Sequence, residues 1–170
     1  MRKYFSILFI GYLTLLISGC DKGIEPAAAE PTGFSGTVTF TGNWQPGIKR
    51  THVVVFNHFI QSSADFSPPN LSFVVDSIPY GSKTFSYNSI DNNFIPSLQA
   101  SPGDYRYIVV AQSKTPDIST NRKDWVVVGV YTTSGDQSKP GTMTIRDGII
   151  TTGIDINVDF NNPPPQPPEN

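Results

Sequence analysis

Metal binding is the first chemistry to consider in this chain of 170 residues, and only two histidines could supply imidazole ligands. His52 and His58 lie in one largely apolar segment, separated by an even number of positions. In a strand this spacing places both side chains on the same face, about 20 Å apart at a rise of ~3.3 Å per residue. A single ion cannot bind both. We therefore expect each histidine to be an ordinary strand residue, packed in the core or facing solvent, and we expect no metal cofactor.

A second possible cation site is the acidic pattern Asp155-x-Asn157-x-Asp159. Its spacing matches the first three ligands of an EF-hand calcium loop. That loop also requires glycine at its sixth position and glutamate at its twelfth, where this chain has Phe160 and Gln166. The alternation instead predicts a strand whose polar residues point outward.

The only cysteine, Cys20, follows an N-terminal sequence typical of secreted proteins. Residues 1–3 carry positive charge, residues 4–17 form an apolar run, and Ser18-Gly19 are the small residues that precede cleavage by a signal peptidase. The run is shorter than the ~20 residues that a membrane-spanning helix requires. This segment resembles the signal sequence of bacterial lipoproteins, with Cys20 in the place of the lipidated cysteine.

That resemblance implies a membrane anchor. In such lipoproteins a diacylglyceryl group alkylates the cysteine thiol, and cleavage makes this cysteine the new N-terminus. The implied signal helix spans residues 1–19, and the implied mature protein is held on a membrane of the cell envelope through Cys20, with the outer membrane favoured. The alternative is an ordinary signal peptide, or a short membrane helix, with an incidental cysteine.

No catalytic motif stands out in the sequence. The chain lacks a Gly-x-Ser-x-Gly nucleophile elbow and a glycine-rich phosphate loop. A thiol committed to lipid at Cys20 leaves no cysteine nucleophile. Two carboxylates distant in sequence could still meet, because sequence does not give their separation. We therefore expect a non-catalytic protein, with a small envelope hydrolase as the lesser alternative.

Composition divides the rest of the chain into three parts. Residues 20–32 lack apolar periodicity and predict a tether, whereas residues 33–160 suffice for one domain that must fold without disulfides. Residues 161–170 are rich in proline and predict a disordered tail. The net charge is −2, and basic residues cluster only at Lys49-Arg50 and Arg122-Lys123, so we expect no nucleic-acid partner.

Residues 33–160 alternate apolar and polar side chains, with Gly, Pro, Asn, Asp and Ser in the gaps. Three segments are apolar on both faces, as in central strands covered on both sides: 52–60, 107–111 and 125–131. The sequence therefore predicts an all-β fold, a single antiparallel β-sandwich of immunoglobulin-like or prealbumin-like type. Its expected core includes Val38, Phe40, Val109, Val127, Ile156 and Val158.

A turn at Pro102-Gly103-Asp104-Tyr105 leads directly into a predicted strand, and Gly36-Thr37-Val38 lies in the first one. These features resemble the carboxypeptidase regulatory-like and transthyretin-like β-sandwich modules, in a layout that covers residues 33–160. The resemblance implies a structural or adhesive accessory module. The residues themselves predict a tight turn at Gly103, followed by a tyrosine anchored in the core.

Four aromatic residues lie in predicted loops: Trp44, Phe66, Tyr80 and Phe94. Exposed together, they could stack a glycan or receive a peptide of an envelope protein. The favoured interpretation is that they cap the open ends of the core, because loop aromatics are commonly buried. The sequence therefore predicts a lipid-anchored structural or binding module, with a carbohydrate- or peptide-binding module as the alternative.

Overall fold

The computed structural model describes residues 31–168, and these form an all-β fold. Within them, ten strands run in the order β1 (Gly33–Thr41), β2 (Arg50–Phe56), β3 (Leu71–Val74), β4 (Thr84–Asn88), β5 (Gly103–Tyr105), β6 (Tyr107–Ser113), β7 (Trp125–Val130), β8 (Met143–Ile145), β9 (Ile150–Thr151) and β10 (Ile156–Asp159). They make two four-stranded sheets, which pack face to face, and a ribbon of β5 and β8.

The first sheet has β1 at its centre, in the order β10–β1–β4, with β9 also paired to β1. As predicted, Val38 and Phe40 of β1 are buried, and Phe34 of the same strand is buried as well. This sheet is mixed, because β1 pairs with β4 in antiparallel and with β9 and β10 in parallel. These strands lie far apart in the chain, so no tight hairpin forces them to run in opposite directions.

The second sheet is antiparallel throughout, in the order β3–β2–β6–β7. Its inner face packs against the first sheet, where Val53, Val55 and Ile108 have no exposed surface. Its outer face carries a separate apolar cluster that includes Val54 and Val109. All seven residues of β6 are buried. The prediction of central strands covered on both faces is therefore confirmed for β2 and β6, whereas β7 lies at the edge of the sheet and its Val126 is exposed.

The turn before β6 is built as the sequence predicts. Gly103 adopts a φ of +154°, a backbone conformation that residues with a side chain rarely adopt. Tyr105 is 6 % exposed and packs in the core between the sheets, and its hydroxyl donates to the Ser101 carbonyl at 2.7 Å. The hydroxyl thus keeps a hydrogen-bond partner while the ring is buried.

Residues 161–168, which composition predicts to be a disordered tail, contact β7 in the structure. The Gln166 side-chain amide donates to the carbonyl of Val127 at 2.7 Å and accepts from its N–H at 2.9 Å. The Arg122 guanidinium donates to the Pro167 carbonyl at 2.9 Å. Prolines lack an N–H, but the Gln166 side-chain amide still pairs with both backbone groups of Val127 in β7.

Candidate functional site

The outer face of the second sheet contains an apolar pocket of about 220 Å³. The sheet forms its floor, and three loop segments form its walls: residues 66–68, 95–98 and 118–120. The lining side chains are His52, Val54, Phe66, Ser67, Pro68, Leu71, Val74, Ile95, Ser97, Leu98, Ile118, Ser119, Thr120 and Trp125. A pocket with this lining favours an apolar molecule over a charged one.

The first wall follows a short 3-10 helix, Ser63–Phe66, whose start is held by a carboxylate. Asp65 accepts from the backbone N–H of Gln61 at 2.9 Å and of Ser62 at 3.0 Å. Asn70, 4 % exposed, donates to the Asp65 carbonyl at 2.9 Å and closes the loop. These polar side chains fix the segment that carries Phe66 to the pocket.

The second wall is fixed by Asn93. Its side-chain amide donates to the Leu98 carbonyl at 2.9 Å and accepts from the Ile95 N–H at 3.1 Å. The neighbouring Phe94 N–H donates to the Val74 carbonyl at 2.9 Å and ties the loop to β3. Asn93 thereby holds the loop so that the apolar side chains of Ile95 and Leu98 line the pocket.

The third wall ends at Trp125, which closes the pocket beside β7. The indole N–H of Trp125 donates to the Ser119 carbonyl at 2.8 Å, so this polar atom is already satisfied. The Ser119 hydroxyl in turn donates to Asp124. The tryptophan thus offers the pocket its apolar ring surface.

His52 is the one ionisable residue among those lining the pocket, and it is fully buried. Its Nδ1 lies 2.8 Å from the Val75 carbonyl. A carbonyl can only accept, so Nδ1 carries the proton and Nε2 of the neutral ring is left as an acceptor. The Nε2 atom has no hydrogen-bond partner among the described residues.

The surroundings of His52 favour the neutral imidazole. Burial lowers the pKa of His52, and the positive charge of Arg50 lowers it further. The Val75 carbonyl and the charge of Asp76 act in the opposite direction but do not outweigh burial. His52 is therefore held as the neutral imidazole, and its ring has no exposed surface.

The two histidines are separated by environment as well as by distance. His58 lies beyond the end of β2 and is exposed, with its Nδ1 3.1 Å from the Phe59 carbonyl. Across residues 31–168, no group of three or more His, Cys, Asp or Glu side chains could hold a metal ion. Within the same range, His52 makes no hydrogen bond to a hydroxyl or a carboxylate.

The four loop aromatics form two separate pairs instead of one surface. Trp44 and Tyr80 stack edge to face at 5.3 Å beside Phe160, at the rim of the core between the sheets. Phe66 and Phe94 belong to the outer-face cluster instead. Tyr80 is 57 % exposed, whereas the other three are half-buried.

Sequence reasoning singled out Phe66 but missed the rest of the pocket, and it treated His52 as an ordinary strand residue. Residues from three loops converge only after folding, and a histidine in an apolar strand gives no sign of an unpartnered nitrogen. The one available signal was that His52 shares its face of the strand with the apolar Val54 and Phe56.

Cys20 lies outside the described residues. In the part of the chain that the structure covers, no helix is long and apolar enough to cross a membrane. Comparison with known proteins finds no matching family model, no matching curated protein and no matching solved structure.

Proposed function

We propose that this protein is a lipid-anchored binding protein of the bacterial cell envelope. Its β-sandwich holds a small apolar molecule in the outer-face pocket and does not transform it. The observation that carries the proposal is the pocket itself, an apolar cavity of about 220 Å³ kept open between the sheet and its covering loops. The resemblance of the segment before Cys20 to a lipoprotein signal sequence supports the location in the cell envelope.

The size of the pocket sets the size of the molecule. An apolar cavity of ~150 Å³ is large enough to bind benzene. This pocket is somewhat larger, and Phe66 and Trp125 offer it aromatic surface. A substituted benzene ring, or a short alkyl chain of similar bulk, fits it best.

The side chains of the pocket support binding without catalysis. Nucleophilic catalysis needs a hydroxyl or thiol within hydrogen-bond reach of a base. His52 instead bonds to a backbone carbonyl. Among the lining residues, Ser119 donates its hydroxyl hydrogen bond to Asp124. This bond stabilises the loop.

Binding is tested by a substitution in the sheet that forms the floor of the pocket. The Val54→Phe substitution adds an aromatic ring on the outer face, and we expect it to abolish binding of p-xylene measured by calorimetry. The control is Val126→Phe, which adds the same ring at a position on β7 that is 52 % exposed and does not line the pocket. Equal binding by the wild type and the Val54→Phe protein would refute the pocket as the site.

The anchor is tested separately at Cys20. Cells fed a palmitate analogue should label the wild-type protein, since a diacylglyceryl group gives the two chains that stable membrane attachment requires. The Cys20→Ala protein should carry no label, whereas Ser62→Ala, a change in a distant loop, should leave labelling intact. If the Cys20→Ala protein still carried the label, lipidation at Cys20 would be refuted.

A further inference from the structure

The proline-rich tail, residues 161–168, is buried with a period of three. Residues 163–168 are five prolines and Gln166. Proline fixes φ, and each residue before a proline stays extended, so this run adopts the polyproline II helix of three residues per turn. Pro164 is buried and Pro167 is half-buried, whereas the other four residues of the run are exposed. The tail therefore lies on the domain through one face, a Pro-x-x-Pro pair.

The surface beside the tail has the chemistry that binds a polyproline II helix. Tyr107 and Phe59 pack edge to face at 5.8 Å between ring centroids, and both line a groove together with residues of the tail. The Arg122 guanidinium donates to the Pro167 carbonyl at 2.9 Å. Proline-rich segments dock in aromatic-lined grooves in this helical form, and their carbonyls have no partner within the helix. The tail is thus held as a ligand of this kind would be.

The tail occupies this groove only in part. An open volume of about 340 Å³ remains between the tail, the two aromatic rings and a loop that contributes Gln137, Ser138 and Pro140. The residues that line it carry no charge, so the groove suits an uncharged segment. The tail bonds to β7 through one side chain, that of Gln166, which is exposed. A segment with the same spacing of prolines and a better fit can therefore replace the tail.

We infer that this groove is a docking site for a Pro-x-x-Pro segment of a partner protein, and that the tail is a built-in competitor for it. The partner's segment is extended and uncharged, with an amide side chain directly before its second proline, as Gln166 stands before Pro167. That amide pairs with both backbone groups of Val127 once the tail has left. The groove shares no lining residue with the apolar pocket, so this inference is independent of the proposed function.

The test weakens the competitor in the full-length protein and offers the same sequence as a separate peptide. The probe is a fluorescently labelled peptide with the sequence of residues 161–168, and its dissociation constant is measured by fluorescence anisotropy. Gln166→Ala removes the hydrogen bonds of the tail to Val127, which corresponds to roughly fivefold in affinity. We therefore expect the peptide to bind Gln166→Ala about fivefold more tightly than the wild type. Gln61→Ala, the control, should bind it as the wild type does.

Further comparisons locate the peptide in the groove. Phe59→Ala, combined with Gln166→Ala, removes a groove ring that is 43 % exposed, and we expect it to weaken peptide binding several-fold. Tyr80→Ala, in the same background, removes a ring that is 57 % exposed and does not line the groove, so binding should stay unchanged. In Gln166→Ala the peptide should also slow amide exchange at Val127 toward the wild-type rate. The same peptide with alanine in place of its glutamine should not.

The inference fails on any of the following outcomes. Equal affinity of the peptide for the wild type and Gln166→Ala, or binding to neither, would mean that the groove does not take this segment from another molecule. Equal binding of the glutamine and alanine peptides would contradict the pairing with Val127. If the wild type forms a dimer in solution and Gln166→Ala does not, the occupant is the tail of a second copy instead of a partner protein. Binding of p-xylene should be the same in all these variants, so its failure would bear on the proposed function alone.

Discussion

The two faces of the second sheet are buried in different ways, and the difference separates stability from binding. The inner face packs against another sheet, and its residues Val53, Val55 and Ile108 have no exposed surface. The outer face is covered by loops and retains a cavity of about 220 Å³. Two sheets interdigitate closely, whereas loops that are held by a few side-chain hydrogen bonds can leave space for a ligand.

The largest expected effect compares neighbouring valines of β2. We expect Val53→Ala on the inner face to lower the free energy of unfolding by about 2–3 kcal/mol, through lost burial and a new cavity. Val54→Ala on the outer face should cost only about 1 kcal/mol, because its side chain already borders an opening. Chemical denaturation of both variants measures the difference, and equal losses would show that the two faces are packed alike.

The sequence predicts the inner face well and the outer face poorly, because a sheet covers the first and loops cover the second. Alternation alone predicts that Val38, Phe40 and Ile156 lie in the core, where they are buried. A facing sheet requires only that every second residue of a strand be apolar. The outer cover depends on contacts such as those of Asn70 and Asn93 with distant backbone groups. Periodicity carries no record of such contacts, so the pocket could not be predicted.

The proline-rich segment 161–168 shows the same limit of prediction from sequence. Its prolines correctly exclude a regular strand, but composition cannot show that Gln166 meets both backbone groups of Val127. The resulting contact places Pro165 and Pro167 beside Tyr107, at another part of the outer face. The tail is therefore one more segment that covers this face through a few hydrogen bonds.

A second prediction concerns the contact between Gln166 and Val127. Gln166→Ala removes three hydrogen bonds, two with Val127 and one with the Pro164 carbonyl, at a site that water can reach. We expect a loss of about 1 kcal/mol in the free energy of unfolding. We also expect faster amide exchange at Val127, whose N–H loses its partner. Gln61→Ala, at another exposed glutamine, is the control for exchange at Val127. Unchanged exchange at that amide in Gln166→Ala would mean that the tail does not bind the edge of β7 in solution.

The smallest expected effect is a dependence of stability on pH that comes from the outer face alone. Because burial lowers the pKa of His52 in the folded state, the unfolded chain binds a proton more readily at this residue. Stability from this source is complete above the unfolded pKa of about 6.5 and falls as the pH drops below it. For one group the loss is at most about 0.8 kcal/mol at pH 6.

The charged groups that act on the ring are Arg50 and Asp76, since Phe94 and Trp125 on the other sides carry no charge. Chemical denaturation between pH 5 and 7.5 should therefore show a shallower dependence on pH in His52→Phe than in the wild type. Val54→Ala lowers stability but keeps the imidazole, so its dependence on pH should match the wild type. Identical slopes in all three proteins would mean that His52 is protonated as easily in the fold as in the unfolded chain.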